Sequence, residues 1–154
     1  MDLTLASNLA TSLMEQHGIS QLGWKFCFDN AKRRFGCCKY SPKLITLSKP
    51  LTLLNDEKSV KDTILHEIAH ALTPGEGHGN VWKKVAIKIG CDGKRCYDSK
   101  SIITPESKYM ATCCGCGYSH KKHKKPKNNS SCGFCSNGKY NPTFKLEYKL
   151  NPLV

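Results

Sequence analysis

The stretch His66-Glu67-Ile68-Ala69-His70-Ala71-Leu72, followed by Thr73-Pro74-Gly75-Glu76-Gly77-His78-Gly79-Asn80-Val81-Trp82, decides how this 154-residue chain is read. His66 and His70 are four residues apart, so on a helix they sit roughly 40° apart around the axis and reach one ion together. Glu67 falls in the same arc of about 100°, beside that ion and directed slightly past it, where a general base takes a proton from metal-bound water. Val60, Ile64, Ile68 and Leu72 recur at four-residue steps, so one side of the helix is buried and the ligand side is left open. Asn55 or Asp56 caps its start, and Pro74-Gly75 cannot continue it beyond Thr73. A third ligand then comes from past the break. His78 is the natural candidate, because the turn folds the chain back and Gly79 admits close backbone approach; Glu76, inside the turn, is its rival. Three protein ligands suit a catalytic zinc with one position left for water. The bland alternative is a pair of surface or core histidines on an unrelated helix; the abrupt turn and a third histidine at short range argue against it.

Around this stretch the chain reads as α+β. Leu3, Leu5, Leu9, Ala10, Leu13 and Met14 give an amphipathic helix over about residues 3–17. Trp24–Phe28, Phe35–Tyr40 and Leu44–Leu47 read as three short strands of one antiparallel sheet, with Asp29-Asn30 and Ser41-Pro42 between them. A further helix runs from about Asn80 to Ile89 and stops at Gly90. Apolar content drops from Asp98 to Lys108, which marks a join. The chain is therefore divided into residues 1–105 and residues 106–154.

The run from His66 to Leu72 with His78-Gly79-Asn80-Val81-Trp82 resembles the SprT-like (Spartan-type) zinc metalloproteases. Those have a His-Glu-x-x-His-Ala helix, then His-Gly-x-x-aromatic opening the next helix. An N-terminal helix and a strand of the Ile-x-Leu-Ser type precede them; here that strand is Leu44-Ile45-Thr46-Leu47-Ser48. The resemblance spans most of residues 1–90. It implies a small zincin-like protease domain with His66, His70 and His78 as zinc ligands, Glu67 as general base, and a role on DNA–protein crosslinks. The segment between His70 and His78 is shorter than in many members, which alters the rim of the active site and with it the specificity.

Beyond the join, Cys113-x-x-Cys116 and Cys132-x-x-Cys135 are separated by 15 residues. That is the spacing of a four-cysteine structural zinc site, closed by four thiolates. Metal affinity supplies the folding free energy that so small an apolar content cannot. Two zinc ions are thus expected, one catalytic and one structural. Disulfides are the alternative use of ten cysteines, but the N-terminus has no basic leader and no apolar run approaches the roughly 20 residues of a membrane span, so an intracellular protein is expected. Cys114 is a neighbouring competitor for the metal, and His120 and His123 are weaker substitutes.

The formal net charge is +12, and it is lopsided. Residues 1–82 carry 9 Lys+Arg against 8 Asp+Glu, and residues 83–154 carry 15 against 4. Lys121, Lys122, Lys124, Lys125 and Lys127 fall in the loop between the cysteine pairs, with Tyr118 beside them as a stacking face, and Phe134 or Tyr140 as others. Such a patch suits phosphate backbones, bound in a salt-sensitive and largely sequence-blind manner. A solvated basic loop is the bland reading of the same residues.

Taken together, a zinc endopeptidase is expected, monomeric, held by a basic ribbon on DNA that is single-stranded or distorted, and acting on proteins bound there. Two other readings remain open: a non-catalytic DNA- or RNA-binding module with structural metals, and a peptidase of soluble proteins that ignores nucleic acid. Cys27, Cys37, Cys38, Cys91 and Cys96 read as free thiols, with Cys37 and Cys38 on opposite sheet faces. Trp24 and Trp82 are expected in the core, Trp82 buttressing His78. Tyr97 and Tyr109 are the candidates for stabilising an oxyanion.

Overall fold

A computed structural model describes residues 1–96 and 101–152. It is α+β, and the chain divides into two compact units, Met1–Pro105 and Glu106–Val154. Among the described residues no helix is long and apolar enough to cross a membrane.

In the first unit, helix α1 (Leu3–Gln16) begins where the Asp2 carboxylate accepts from the Thr4 and Leu5 amides, and it buries Ala6, Ala10, Leu13 and Met14. Strands β1 (Lys25–Asp29), β2 (Gly36–Lys39) and β3 (Leu44–Ser48) form one sheet in the order β1-β3-β2. The expected all-antiparallel sheet is corrected here: β2 runs antiparallel to β3, but β1 runs parallel to it. The reason is which strand takes the centre. Ile45, Thr46, Leu47 and Ser48 are all at most 1% exposed, so β3 is buried on both faces and becomes the middle strand. Successive strands reverse direction, so β1 and β3, two steps apart in the chain, point the same way. β2, with its Gly-Cys-Cys-Lys sequence, is left at an edge.

Helix α2 (Lys49–Leu54) follows β3 directly, a helix the sequence reading passed over. Ser48 both ends the strand and caps the helix, accepting from the Leu51 amide, and Pro50 occupies the first turn. Asp56, not Asn55, caps helix α3 (Glu57–Leu72) through the Ser59 amide. Asn55 instead donates to the carbonyls of Leu51 and Ile103, at 2.8 Å each, and accepts from the Ile103 amide at 2.8 Å.

Val60, Ile64 and Ile68 of α3 are completely buried, each worth about 1.5–3 kcal/mol on leaving water. That stripe orients the helix and leaves the His66–His70 side outward. Leu72, expected to continue the stripe, lies past the core and is exposed. Helix α4 (Asn80–Lys88) buries Trp82 and Ala86.

The second unit holds a small sheet, β4 (Tyr109–Thr112), β5 (Ser119–Lys122) and β6 (Lys149–Leu150), in the order β5-β4-β6. Among its described residues the buried apolar cluster is only Ala111, Cys113, Cys132 and Leu146. Two of those four are cysteines, so its interior is organised around sulfur.

Candidate active site

Helix α3 presents His66 and His70 one turn apart, and the turn after it brings back His78. The Nε2 atoms of His66 and His78 lie 3.1 Å apart, those of His70 and His78 3.1 Å, and those of His66 and His70 3.2 Å. A zinc ion bonded to nitrogen at about 2.0–2.1 Å in tetrahedral geometry needs nitrogens about 3.3 Å apart. The triangle fits. Three neutral imidazoles with their lone pairs converging at this range repel one another unless a cation lies between them. Burial is the main cause that depresses His66 and His70 to about 4, with the neighbouring imidazoles adding to it, so at neutral pH both are in the uncharged form that ligates. Glu76, the rival third ligand, is exposed and stands outside the convergent group.

Trp82 is the floor of this site. The indole is 1% exposed and touches all three rings, at centroid separations of 4.7 Å from His66, 5.2 Å from His70 and 4.7 Å from His78. The Asp92 carboxylate and the Lys94 backbone, on the far side of the His66 ring, partly offset the depression of its pKa.

Glu67 is 7% exposed and faces β2 across the cleft. Burial pushes its carboxyl up to about 7, opposed by the Arg34 charge and by the Cys38 backbone amide. Gly36 is what makes room. A Cβ there would stand 2.6 Å from Glu67 Oε1 and 2.9 Å from Thr63 Cγ2, so no larger residue fits without displacing the carboxylate. The cleft around these groups has a volume of about 630 Å³ and is lined by β2, α3, the ligand turn and the segment from Asp92 to Cys96.

The chain from residue 6 to residue 102 matches the model of the SprT-like family. The chain belongs to the SprT-like family. Comparison with curated proteins returned no match. The SprT-like match covers the unit that holds the three histidines, Glu67 and the cleft, and it supports a metalloprotease-type domain.

Outside the SprT-like match, Cys113, Cys116, Cys132 and Cys135 converge in the second unit, with all four sulfurs within 4.8 Å of one another. The Sγ separations are 3.7 Å for Cys113–Cys135 and 3.7 Å for Cys116–Cys132. A tetrahedral Zn–S site at about 2.3 Å per bond requires about 3.8 Å. All ten cysteines are free in this structure. Cys114 turns away, its thiol donating to the Thr143 carbonyl at 3.2 Å. His120 stands outside the sulfur cluster and meets the Tyr118 ring edge-on.

Lys121, Lys122, Lys124, Lys125 and Lys127 are all exposed, and Tyr118 is 65% exposed. Lys121 meets Glu106 at 3.8 Å, and Lys122 lies over the Tyr148 ring at 4.9 Å. Exposed pairs of this kind are worth about 0–1 kcal/mol and leave the charges available. Phe134, 85% exposed, and Tyr140 add apolar faces on the same unit.

Of the two oxyanion candidates, Tyr97 lies outside the described residues and Tyr109 is on β4 of the second unit. The sequence reading missed Gly36, Arg34 and Tyr40, which line the SprT-like cleft. The clue was the run Arg34-Phe35-Gly36-Cys37-Cys38-Lys39-Tyr40, where a glycine interrupts a strand. Cys96 is exposed at the cleft. Cys91 is buried beside Asp62 and Asp92, and burial pushes its thiol up to about 12.

Proposed function

We propose that the protein is a zinc-dependent endopeptidase that cleaves DNA-associated proteins, including proteins crosslinked to DNA, and is held on nucleic acid by its basic four-cysteine unit. The observation that carries the peptidase reading is the meeting of three imidazole Nε2 atoms and a buried carboxylate in one open cleft. A structural zinc site has no use for Glu67. His66, His70 and His78 would hold the metal, which when bound supplies a Lewis acid and an acidified water.

The rest is the work of the chain. Glu67, kept from solvent beside the Cys38 amide, takes the proton of the attacking water and returns it to the leaving amine. Among the described residues, strand β2 is a sheet edge whose outer side has no strand partner and lines the cleft, so a substrate fits there in extended form. Its main chain is thereby laid across the catalytic group. The five exposed lysines and Tyr118 support the nucleic-acid tether through phosphate attraction and base stacking. The tether makes proteins on DNA substrates by raising their local concentration.

The test is incubation of zinc-loaded protein with a DNA-binding protein, with and without single-stranded DNA. Wild type runs beside Glu67→Gln and beside a variant with the five loop lysines changed to glutamine. Cleavage that requires Glu67, DNA and the lysines is the expected result. Cleavage indifferent to DNA and to the lysines would remove the tether. DNA binding with no cleavage in any lane would leave a non-catalytic binding module.

A further inference from the structure

His66 and His70 are carried by a helix anchored in the core, but His78 is not. It is exposed on the short turn Thr73–Gly79, in which Gly75 and Gly77 take φ of 87° and 57°. Glycines in that left-handed region lose the most freedom on ordering, so such a turn is the costliest of the ligand carriers to hold still. Its own backbone bonds are few and long: Thr73 to the His70 carbonyl at 3.2 Å, Glu76 to the Thr73 carbonyl at 3.3 Å, and Gly79 to the Glu76 carbonyl at 3.1 Å.

One side chain from outside reaches the point where this turn leaves α3. Tyr40, just past β2, donates its hydroxyl hydrogen to the His70 carbonyl at 3.2 Å. The Thr73 amide, which opens the turn, donates to the same carbonyl at 3.2 Å. The Tyr40 ring is itself placed, meeting the Trp24 indole edge-on at 6.1 Å. A carbonyl oxygen has two lone pairs, so it accepts from the phenol and from the turn at once. The chain just past β2 is thereby tied to the last turn of α3, at the carbonyl from which the ligand turn departs.

We propose that Tyr40 is a positioning residue for the metal centre: its hydroxyl clasps the His70 carbonyl from which the turn departs and so pre-sets the turn that delivers His78. It acts through His78 and takes no part in proton transfer. The inference rests on His78 serving as a metal ligand and is independent of whether the bound metal hydrolyses peptides.

The experiment is a double-mutant cycle on metal affinity, using the full chain with Tyr40→Phe, His78→Ala and both together. Cobalt(II) is the probe, because the bands of a His-ligated site separate from those of the thiolate site in the second unit. Affinity is measured by competition with a chromophoric chelator. Partners one step removed from a metal ligand typically change affinity by about 10–100-fold, so Tyr40→Phe is expected to cost about tenfold and to alter the d–d spectrum of the His-ligated ion. In the His78→Ala background the same change should cost nothing further. The thermal midpoint of the metal-free protein should stay unchanged, since phenylalanine keeps the ring packing against Trp24.

Unchanged affinity and spectrum in Tyr40→Phe would overturn the clasp. So would an equal loss in both backgrounds, or a matching fall in the metal-free midpoint, either of which would make the hydroxyl a general stabiliser. Absence of a His-ligated cobalt spectrum in the wild-type protein would overturn the metal centre itself, and the clasp with it.

Discussion

The indole of Trp82 stacks on the imidazole of His70, with ring centroids 5.2 Å apart and planes 26° from parallel. The same indole meets His66 and His78 edge-on, so one side chain of α4 sets the tilt of every ring in the triangle. Replacing Trp82 with alanine removes a fully buried aromatic and is expected to cost about 3–5 kcal/mol of stability. Trp82→Phe keeps part of the floor. It should retain the fold while weakening metal binding at the histidine site. Thermal unfolding and metal titration of the two variants check this; equal metal affinity in Trp82→Phe and wild type would refute the role.

Gly36→Ala tests the space beside the Glu67 carboxylate, the proposed general base. The added methyl would stand 2.6 Å from Glu67 Oε1 and 2.8 Å from Glu67 Cγ, distances no real Cβ tolerates. Overpacking of this kind costs about 1–3 kcal/mol, and here Glu67 is the group that must yield. The expected outcome is peptidase activity reduced by at least tenfold with the metal content of the histidine site intact. Full activity in a correctly folded Gly36→Ala protein would show that the carboxylate position is not critical.

The pH dependence follows from the surroundings of Glu67. The carboxyl must be ionised to accept a proton, burial pushes its pKa up to about 7, and the Arg34 charge pulls it down. Removing that charge in Arg34→Ala therefore raises the pKa further. Less of the base is ionised at any acidic pH, so the acid limb of the rate profile moves to higher pH and the two profiles converge on the alkaline side. A bound cation lowers the limb in both proteins alike, which leaves the sign unchanged. Arg34 pairs with Asp29 at the surface, a contact of little energetic weight, so the fold should survive. Superimposable profiles for kcat/KM would show that Arg34 does not act on Glu67.

In the second unit a bound metal would stand in for a core. Among the described residues, Ala111 and Leu146 are its only buried apolar residues besides cysteine, and each such side chain contributes at most about 1.5–3 kcal/mol. Structural zinc contributes about 10–16 kcal/mol in small domains. Cys132→Ser should therefore leave residues 106–152 open to proteolysis, and excess chelator should do the same to wild type. Limited proteolysis read by mass spectrometry checks both. Continued protection of this segment in Cys132→Ser would show that its fold does not depend on the four-sulfur site.

The two candidate metal constellations were legible as clusters because their residues lie within short stretches of chain, where helical period and turn chemistry fix mutual position. His66 and His70 needed only the geometry of one helix, and each cysteine pair only one tight turn. The cleft opposite them was not legible in this way. Arg34, Gly36 and Tyr40 reach Glu67 and the ligand turn from a strand about 30 residues away, and nothing in their own neighbourhood marks a partner at that separation. The helix Lys49–Leu54 escaped notice for a related reason: Ser48 reads as a strand end, and only the hydrogen bond from the Leu51 amide to its hydroxyl reveals the cap.

By itself the sequence determined what periodicity and spacing determine: an α+β chain, a helix bearing two histidines one turn apart with a carboxylate beside them, a break that returns a third, and two cysteine pairs spaced to converge. Only the tertiary structure decided the order of the sheet, because which strand becomes central depends on the burial of both its faces. It also decided the surroundings of each functional group. The indole under three imidazoles, the missing Cβ at Gly36 and the Tyr40 hydroxyl on the His70 carbonyl arise from packing between distant segments, where contact energy is set by the whole core and by no local pattern.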